Sequence, residues 1–263
     1  MMLQGTESRL RKAYWIFYDA LCGTHPNLRP WHFQWLAARP LNKRLRALLP
    51  TLAGEGERRV LDIGCGTKPY AAWFRPIAEY VRLDIMDGPM VDVVVKPNEK
   101  WPLSDAYYDV IICTQVLEHV EDLEHTLREM KRVLKPGGII VASFPFIYNE
   151  HGIPHDYRRF SAYGAERLFL DMNLITVERQ GGIGSTAAIL LLNFWDATLS
   201  LNFYFRLMKA VLLPVNLLAA TMLNIAALLL DRLDRTGRYY SNVLIVVKKP
   251  KTTSMEDILR GVL

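Results

Sequence analysis

The stretch Arg59-Val-Leu-Asp-Ile-Gly-Cys-Gly66 decides the fold, because it is a short apolar run that leads into two glycines. Gly64 and Gly66 allow a sharp turn and a close approach of a ligand to the backbone. A dinucleotide-binding loop has a third glycine, which this loop lacks, since position 69 is Pro69. The acidic Asp62 before the first glycine favours a ligand with a cationic amino-acid end over a pyrophosphate.

Strands and helices alternate around this loop. Strands are predicted over 59–63, 80–84, 91–95, 108–113, 139–144, 175–179 and 242–248, and helices over 6–22, 41–49, 70–78, 122–134 and 162–172. Thr6 is expected to cap the first helix, Pro50 to stop the second, and 135–138 to close the fourth. The alternation predicts an α/β fold, a Rossmann-like, doubly wound, mostly parallel seven-stranded sheet.

The composition divides the chain into three parts. We expect an N-terminal helical extension over 1–57, a cofactor-binding core over 58–182 and 238–250, and an apolar helical insertion over 183–237. The three cysteines form neither a disulfide framework nor a metal-ligand pair, which suits a reducing compartment. No signal peptide is recognisable at the N-terminus, so a cytoplasmic location is expected.

Three further motifs follow the glycine loop in order. They are Leu-Asp-Ile at 83–85, Tyr-Asp-Val-Ile-Ile-Cys-Thr-Gln-Val-Leu-Glu-His-Val at 108–120 and Arg-Val-Leu-Lys-Pro-Gly-Gly at 132–138. Asp84 ends a predicted strand, where a carboxylate can accept both hydroxyls of a ribose. Over about residues 58–182, the four motifs together resemble the class I S-adenosylmethionine-dependent methyltransferases of the ubiquinone/menaquinone-methyltransferase-like (type 11) group.

This resemblance implies S-adenosyl-L-methionine as the cofactor. The residues expected to contact it are Asp62, Gly64, Cys65, Gly66, Asp84, Ile85, Asn98, Thr114 and Gln115. By the resemblance, Asp62 and the glycines line the methionine part, Asp84 holds the ribose and Ile85 packs on the adenine. Thr114 and Gln115 face the cofactor from the other side.

The sequence departs from the resemblance after the third predicted strand. Many relatives carry an acidic residue there to bind the adenine amino group, whereas this chain has Lys96, which cannot accept a hydrogen bond. Asn98, a backbone carbonyl or a water molecule is left to take that role. Glu118 and His119 are expected to fix the turn into the next helix rather than to act in catalysis.

The segment 144–160 leaves the end of a predicted strand, where ligands of such sheets bind, and it is rich in polar side chains. His151 and His155 are candidate general bases and Asp156 is the candidate to orient one of them. The residues expected to bind the substrate are Tyr148, Tyr157, Arg158 and Arg159. An ordered lid is the alternative, and the spacing of the histidines predicts no metal site.

Residues 186–230 carry only three charges, and 210–230 carry none, which is long enough to span a bilayer core. Pro214 and two asparagines interrupt the stretch, and the chain must return to the same sheet. Two apolar helices that pack over the active site and associate with one leaflet are therefore expected. A soluble lid or a homodimer interface is the alternative.

Ten basic and four acidic residues make 1–59 a basic arm with a net charge of +6, which attracts anionic headgroups. The sequence therefore predicts methyl transfer to a hydrophobic or lipid-linked acceptor, at oxygen or carbon, at the inner membrane surface. A soluble small-molecule methyltransferase and a non-catalytic cofactor-binding subunit stay open. Nucleic acid is disfavoured, because Gln115-Val-Leu-Glu stands where base-modifying enzymes carry an asparagine-proline-proline-aromatic motif.

Overall fold

The computed structural model describes residues 9–53, 58–66, 70–74, 77–201 and 203–251. The chain forms two compact units. The helical unit comprises Met1–Asn42 and Gly181–Tyr239, and the sheet unit comprises Lys43–Gln180 and Tyr240–Leu263. The N-terminal segment and the apolar insertion thus belong to the same unit, a pairing that the sequence did not indicate.

A seven-stranded sheet forms the centre of the sheet unit. Its strands are β1 (Arg59–Ile63), β2 (Glu79–Asp84), β3 (Val93–Val94), β4 (Tyr108–Thr114), β5 (Leu134–Pro145), β6 (Asn173–Gln180) and β7 (Asn242–Lys248), in the order β3-β2-β1-β4-β5-β7-β6. β3, β2, β1, β4 and β5 pair in parallel, and β7 pairs antiparallel with both β5 and β6. The predicted mostly parallel, Rossmann-like sheet is confirmed.

Two helices of the sheet unit begin at capping side chains. α3 (Leu123–Val133) is capped by Asp122, whose Oδ1 accepts the backbone N–H of His125 at 2.9 Å. α4 (Ala162–Arg167) is capped by Ser161, whose Oγ accepts the N–H of Gly164 at 3.1 Å. Both caps satisfy N–H groups that have no partner within the helix.

Among the described residues, four helices lie wholly in the helical unit: α1 (Arg9–Cys22), α5 (Ile183–Thr198), α6 (Phe203–Val211) and α7 (Leu213–Asp231). α5 and α7 approach so closely that a Cβ at Gly184 would lie 2.3 Å from the carbonyl oxygen of Ala227. Asp231 at the end of α7 accepts the N–H of Ser185 at 2.8 Å. Asp231 thereby accepts a hydrogen bond from a backbone N–H in the first turn of α5 and joins the two helices.

Several helix boundaries differ from the sequence prediction. α2 spans Trp35–Ala53, so Pro50 does not end it; the proline lies in the last turn, where it removes only one hydrogen bond. In the predicted helix 70–78, the described residues form a single 3-10 turn, Ala71–Trp73. α4 is five residues shorter than predicted, and the insertion contains three helices instead of two. Thr6 lies outside the described residues.

Five strands differ from their predicted bounds, and β3 and β5 differ most. β3 has two residues instead of five, since Pro97 and the turns around it leave little extended chain. β5 begins at Leu134, so the predicted closing turn at 135–138 belongs to a strand. The strands at 59–63 and 242–248 have the predicted bounds.

The core of the sheet unit should be sensitive to Phe144, which is fully buried with its ring centroid 4.9 Å from that of Phe160. Phe144→Ala removes a large apolar side chain and leaves a cavity, so we expect the free energy of unfolding to fall by about 3–5 kcal/mol. Urea denaturation followed by circular dichroism measures it. The control Leu170→Ala, at an exposed position, should change it by less than about 0.5 kcal/mol. Equal effects would contradict this description of the core.

Candidate cofactor and acceptor site

A cavity of about 470 Å³ lies at the carboxyl ends of the parallel strands. The chain turns from β1 toward β2 on one side and from β4 toward β5 on the other, and ligands of open α/β sheets bind at such a switch point. The cavity is lined by Ile63, Gly64, Leu83, Asp84, Ile85, Val95, Lys96, Pro97, Asn98, Trp101, Gln115, Val116, His119, Val120, Glu121, Asp122, His125, Thr126, Gly152, His155 and Tyr157. Most of the lining is apolar, with polar groups at a few places.

Gly64 forms the floor of this cavity, directly after β1. Its φ is +65°, and a Cβ there would lie 2.3 Å from a methyl carbon of Val116. Its N–H donates to the carbonyl oxygen of Leu83 at 2.8 Å. Only glycine fits this conformation and this space, so the backbone is open to a ligand, as the sequence predicts.

Asp62 lies beneath the loop, almost fully buried in β1. Burial raises the pKa of its carboxyl to about 7, against the opposing effect of the Tyr80 hydroxyl, which donates to Oδ2 at 2.5 Å. A buried carboxylate next to a cavity is well placed to stabilise a cationic group electrostatically. Asp62 is not among the residues that line the cavity, so its predicted direct contact with the cofactor stays a prediction.

Asp84 and Ile85 line the cavity at the end of β2, as the ribose and adenine contacts should. The Asp84 carboxylate accepts the N–H of Gly66 at 3.2 Å and that of Met86 at 3.1 Å. Asp84 therefore also holds the glycine loop in shape. The side chain of Ile85 is exposed, which leaves an apolar surface for a ring to cover.

The wall of the cavity that is predicted to receive the adenine is formed by residues after β3. Asn98 lines it with a φ of +64°, and Lys96 lies beside it with its Nζ 3.6 Å from Glu99. Trp101 is buried in the same wall, and its backbone N–H donates to Oε2 of Glu129 at 2.7 Å. Asn98 is thus in position to offer the acceptor that the sequence lacked at Lys96.

The other predicted cofactor residues differ in position. Gln115 lines the cavity, and its Nε2 donates to Asn242 at 2.8 Å and to Ser143 at 3.1 Å. Thr114 lies deeper, with its hydroxyl oxygen 3.2 Å from that of Tyr70. Cys65 is buried, and burial raises the pKa of its thiol to about 12, so the thiol is uncharged at neutral pH.

The polar segment 144–160, hereafter the acceptor loop, contributes Gly152, His155 and Tyr157 to the cavity lining. His155 Nδ1 lies 2.9 Å from the Tyr157 hydroxyl oxygen, which orients both rings. The backbone N–H of Tyr157 donates to the carbonyl oxygen of Glu118 at 2.9 Å, and this hydrogen bond connects the loop to the turn after β4. Of the predicted catalytic and substrate residues, His155 and Tyr157 reach the cavity.

The charged side chains of the loop bind protein groups. Arg159 forms two hydrogen bonds with Asp156, of 2.5 and 2.6 Å, and holds the pKa of that carboxyl well below its usual value. Arg158 donates to the carbonyls of Val120 and Glu121. These contacts stabilise the conformation of the loop. The predicted binding of the substrate by Arg158 and Arg159 stays a prediction.

His151 lies beside a second histidine. Its Nε2 is 3.2 Å from Nε2 of His119 and 3.7 Å from Oε1 of Glu118, and its ring is 5.3 Å from that of Tyr148. The Glu118 carboxylate, followed by that of Asp156, raises the pKa of His151 above its usual value. Neither His151 nor Tyr148 lines the cavity, so their predicted contact with a substrate is untested.

The cavity also contains residues that the sequence does not predict, and Trp101, His119 and His125 are among them. The sequence predicts for His119 only a role in fixing a turn, and it indicates no role for Trp101 or His125. His125 lies on α3 and its Nε2 is 3.0 Å from the carbonyl oxygen of Glu99. A tryptophan in a proline-rich stretch just after a strand end was the one available signal for Trp101.

Comparison with known proteins identifies the family of the chain. Residues 35–176 match the family described as Methyltransferase domain. An uncharacterized methyltransferase of Mycobacterium sp. (strain KMS) is 36% identical over 115 residues, which cover 38% of this chain and 46% of that protein. The ubiquinone/menaquinone biosynthesis C-methyltransferase UbiE of Ectopseudomonas mendocina is 35% identical over 106 residues, 33% of this chain and 41% of the relative. The chain thus spans about half the length of the curated relatives it matches.

Among solved structures, a SAM-dependent methyltransferase from Archaeoglobus fulgidus superposes with a TM-score of 0.50 at 18% identity, covering 90% of this chain and 99% of the other. That likeness concerns the fold. The family match covers more than half of the chain, so the chain belongs to the Methyltransferase domain family, the class I S-adenosylmethionine-dependent methyltransferases. S-adenosyl-L-methionine is the cofactor, and the glycine floor and the carboxylate of Asp84 fit it.

Replacing Asp84 should weaken cofactor binding. Asp84→Asn removes the carboxylate charge and one acceptor, and we expect a loss of about 1–3 kcal/mol, measured by isothermal titration calorimetry with S-adenosylhomocysteine. The control Asp87→Asn changes an exposed carboxylate three residues away that does not line the cavity, and it should bind normally. Unchanged affinity in a folded Asp84→Asn protein would remove Asp84 from the site.

Proposed function

We propose that this chain transfers the methyl group of S-adenosylmethionine to a hydrophobic or lipid-linked acceptor, at oxygen, while its helical unit is attached to the cytoplasmic face of a membrane. The observation that carries the proposal is the polarity of α7, which exposes most of its large apolar side chains and, apart from Leu213, buries small and polar ones. Methyl transfer at carbon is the second candidate, because the Ectopseudomonas relative is named as a C-methyltransferase.

The cavity supports a transfer reaction. The cofactor supplies a methyl group on a positively charged sulfur, and its transfer needs a nucleophile held in line with that carbon. A hydroxyl acceptor must also lose its proton, and His155 is the cavity-lining histidine of the acceptor loop, held by Tyr157. We therefore assign His155 as the candidate proton acceptor and Tyr157 as its positioning residue.

α7 has two faces of opposite character. Every third or fourth residue along one side is large, apolar and more than half exposed, namely Val215, Leu218, Met222, Ile225 and Leu229. The opposite side is buried and carries Leu213, Ala220, Asn224 and Ala227. A soluble helix has the reverse arrangement, with its large apolar side chains inside.

Several polar side chains of the apolar insertion have partners within the helical unit, whereas the buried Oδ1 of Asn224 has none among the described residues. Asn224 donates to the carbonyl of Pro30 at 2.7 Å, and the Lys209 ammonium lies 2.6 Å from Asp196. Asn216 Oδ1 accepts from the indole N–H of Trp195 at 3.3 Å. These groups therefore do not oppose contact of the outer face with hydrocarbon.

In the described part of the chain, α7 is the one helix that is long and apolar enough to cross a membrane, and only 17% of it is buried. A core helix of a soluble protein passes the same test of length and composition but is mostly buried. Because the chain returns to the sheet at β7, we favour insertion into one leaflet over a crossing. A homodimer that covers the same face is the rival, and the membrane test below separates the two.

His155→Ala should lower turnover. We expect kcat to fall by about 10²–10⁴-fold with little change in cofactor affinity, because a proton acceptor acts in the transition state. The assay uses methyl-labelled cofactor and a total lipid extract, and counts label that partitions into the organic phase.

The matched control for this assay is His125→Ala, which changes another histidine of the cavity wall, held by the Glu99 carbonyl. It should keep most of the activity. A His155→Ala protein as active as the wild type would exclude His155 as the proton acceptor. Label that never enters the organic phase, with a cofactor-binding wild type, would refute the lipid acceptor.

Charges on the exposed face of α7 should abolish membrane binding. The double variant Leu218→Glu/Met222→Glu places two carboxylates where the face would meet acyl chains, which is costly in hydrocarbon. We expect the wild type to sediment with phosphatidylglycerol–phosphatidylcholine vesicles, less so in high salt, and the variant to lose at least tenfold in partitioning.

The control Leu170→Glu adds a charge at an exposed leucine of the sheet unit and should sediment like the wild type. Light scattering on the same samples distinguishes the homodimer. A stable dimer that ignores vesicles would replace the membrane by a second copy of the chain as the occupant of this face.

A further inference from the structure

Glu118, His119 and His151 form a cluster at the junction between the acceptor loop and the turn after β4. The Glu118 Oε1 atom lies 3.7 Å from Nε2 of His119 and 3.7 Å from Nε2 of His151. The two Nε2 atoms are 3.2 Å apart. Three atoms of the kind that ligate metals thus form a nearly equilateral triangle.

The Glu118 carboxylate at one corner of this triangle is fully buried. Neither of its oxygens has a hydrogen-bond partner among the described residues. A buried carboxylate is normally paired or hydrogen-bonded, because removal from water costs several kcal/mol per ion. A cation held between this carboxylate and the two imidazoles would supply the missing partner.

We propose that Glu118 Oε1, His119 Nε2 and His151 Nε2 bind a divalent transition-metal ion of the Zn²⁺ type. Bonds of about 2.0–2.2 Å from a tetrahedral ion to nitrogen and carboxylate oxygen place neighbouring ligand atoms about 3.3–3.5 Å apart. The observed 3.2–3.7 Å distances bracket that value. Two imidazoles also favour such an ion over Mg²⁺ or Ca²⁺, which prefer oxygen ligands.

Surrounding groups orient both imidazoles for this role. His119 Nδ1 lies 2.5 Å from the carbonyl oxygen of His155, so Nδ1 carries the proton and Nε2 keeps its lone pair. His151 Nδ1 lies 3.4 Å from Oδ2 of Asp156 without forming a hydrogen bond to it, and the backbone N–H of His151 donates to the same oxygen at 2.8 Å. A carbonyl or carboxylate behind each ligating histidine is the usual outer shell of a metal site.

Three protein ligands leave a fourth tetrahedral position for water or for an oxygen of the acceptor. His119 also lines the cavity, so the ion is adjacent to the space assigned to the reaction. The sequence alone predicts no metal site, because the spacing of the histidines in the acceptor loop matches no established ligand pattern. Glu118 and His119 meet His151 only through the docking of the acceptor loop.

Metal binding is tested on the full chain, stripped with a chelator, by calorimetric titration with Zn²⁺ and by the visible spectrum after Co²⁺ addition. We expect one equivalent to bind and Co²⁺ to give tetrahedral d–d bands. His151→Ala and Glu118→Gln should each weaken binding at least tenfold. The control His125→Ala, a cavity histidine outside the cluster, should bind like the wild type.

The rival arrangement is a protonated His151 that pairs with Glu118 without any metal. A wild-type chain that binds neither ion, or variants that bind as tightly as the wild type, would establish that rival and overturn the proposal. Thermal melting of each stripped variant shows whether it folds. Titration of the same samples with S-adenosylhomocysteine tests the cofactor site separately, so a failed metal site and a failed methyltransferase assignment give different results.

Discussion

The close approach of Gly64 to Val116 is the constraint on which the site depends. It joins the end of β1 to the chain leaving β4, and the Gly64 N–H is fixed on Leu83 at the end of β2. Three adjacent strand ends are thereby held around one residue without a side chain. The walls of the cavity come from those strand ends, so a larger residue at this point would separate them and fill the floor at once.

The charged side chains of the acceptor loop impose a second constraint, because they form hydrogen bonds that stabilise the conformation of the loop itself. Asp156 and Arg159 pair with each other, and Arg158 binds carbonyls of the turn after β4. A charge-assisted hydrogen bond is stronger than a neutral one and fixes geometry as well as proximity. The loop can therefore present His155 and Tyr157 to the cavity without regular secondary structure.

The sequence predicted the sheet better than the helices. β1 and β7 begin and end where expected, because each is an apolar run bounded by polar residues or turns. α2 begins six residues before its predicted start. Pro40 lies inside this helix, and a proline in the sequence argues against a helix at that point, although tertiary contacts decide whether it is tolerated.

The site was predicted unevenly, for a physical reason. Gly64, Asp84, Ile85, Asn98 and Gln115 line the cavity as expected, because motif spacing along parallel strands translates directly into position at one edge. The placement of His119 beside His151 depends on a loop that folds back across 32 residues, and no local pattern encodes such docking.

The helical unit consists of two segments of the chain that are synthesised at different times. Its two segments, Met1–Asn42 and Gly181–Tyr239, are separated by the whole first part of the sheet unit. Synthesis proceeds at about 5–20 residues per second, so the first segment waits on the order of ten seconds for its partner. During that interval Tyr18 and Cys22 lack Leu213, the residue of the later segment that completes their buried cluster. Under the proposed membrane attachment, this first segment, with its excess of basic residues, would meet an anionic bilayer surface before the apolar insertion is synthesised.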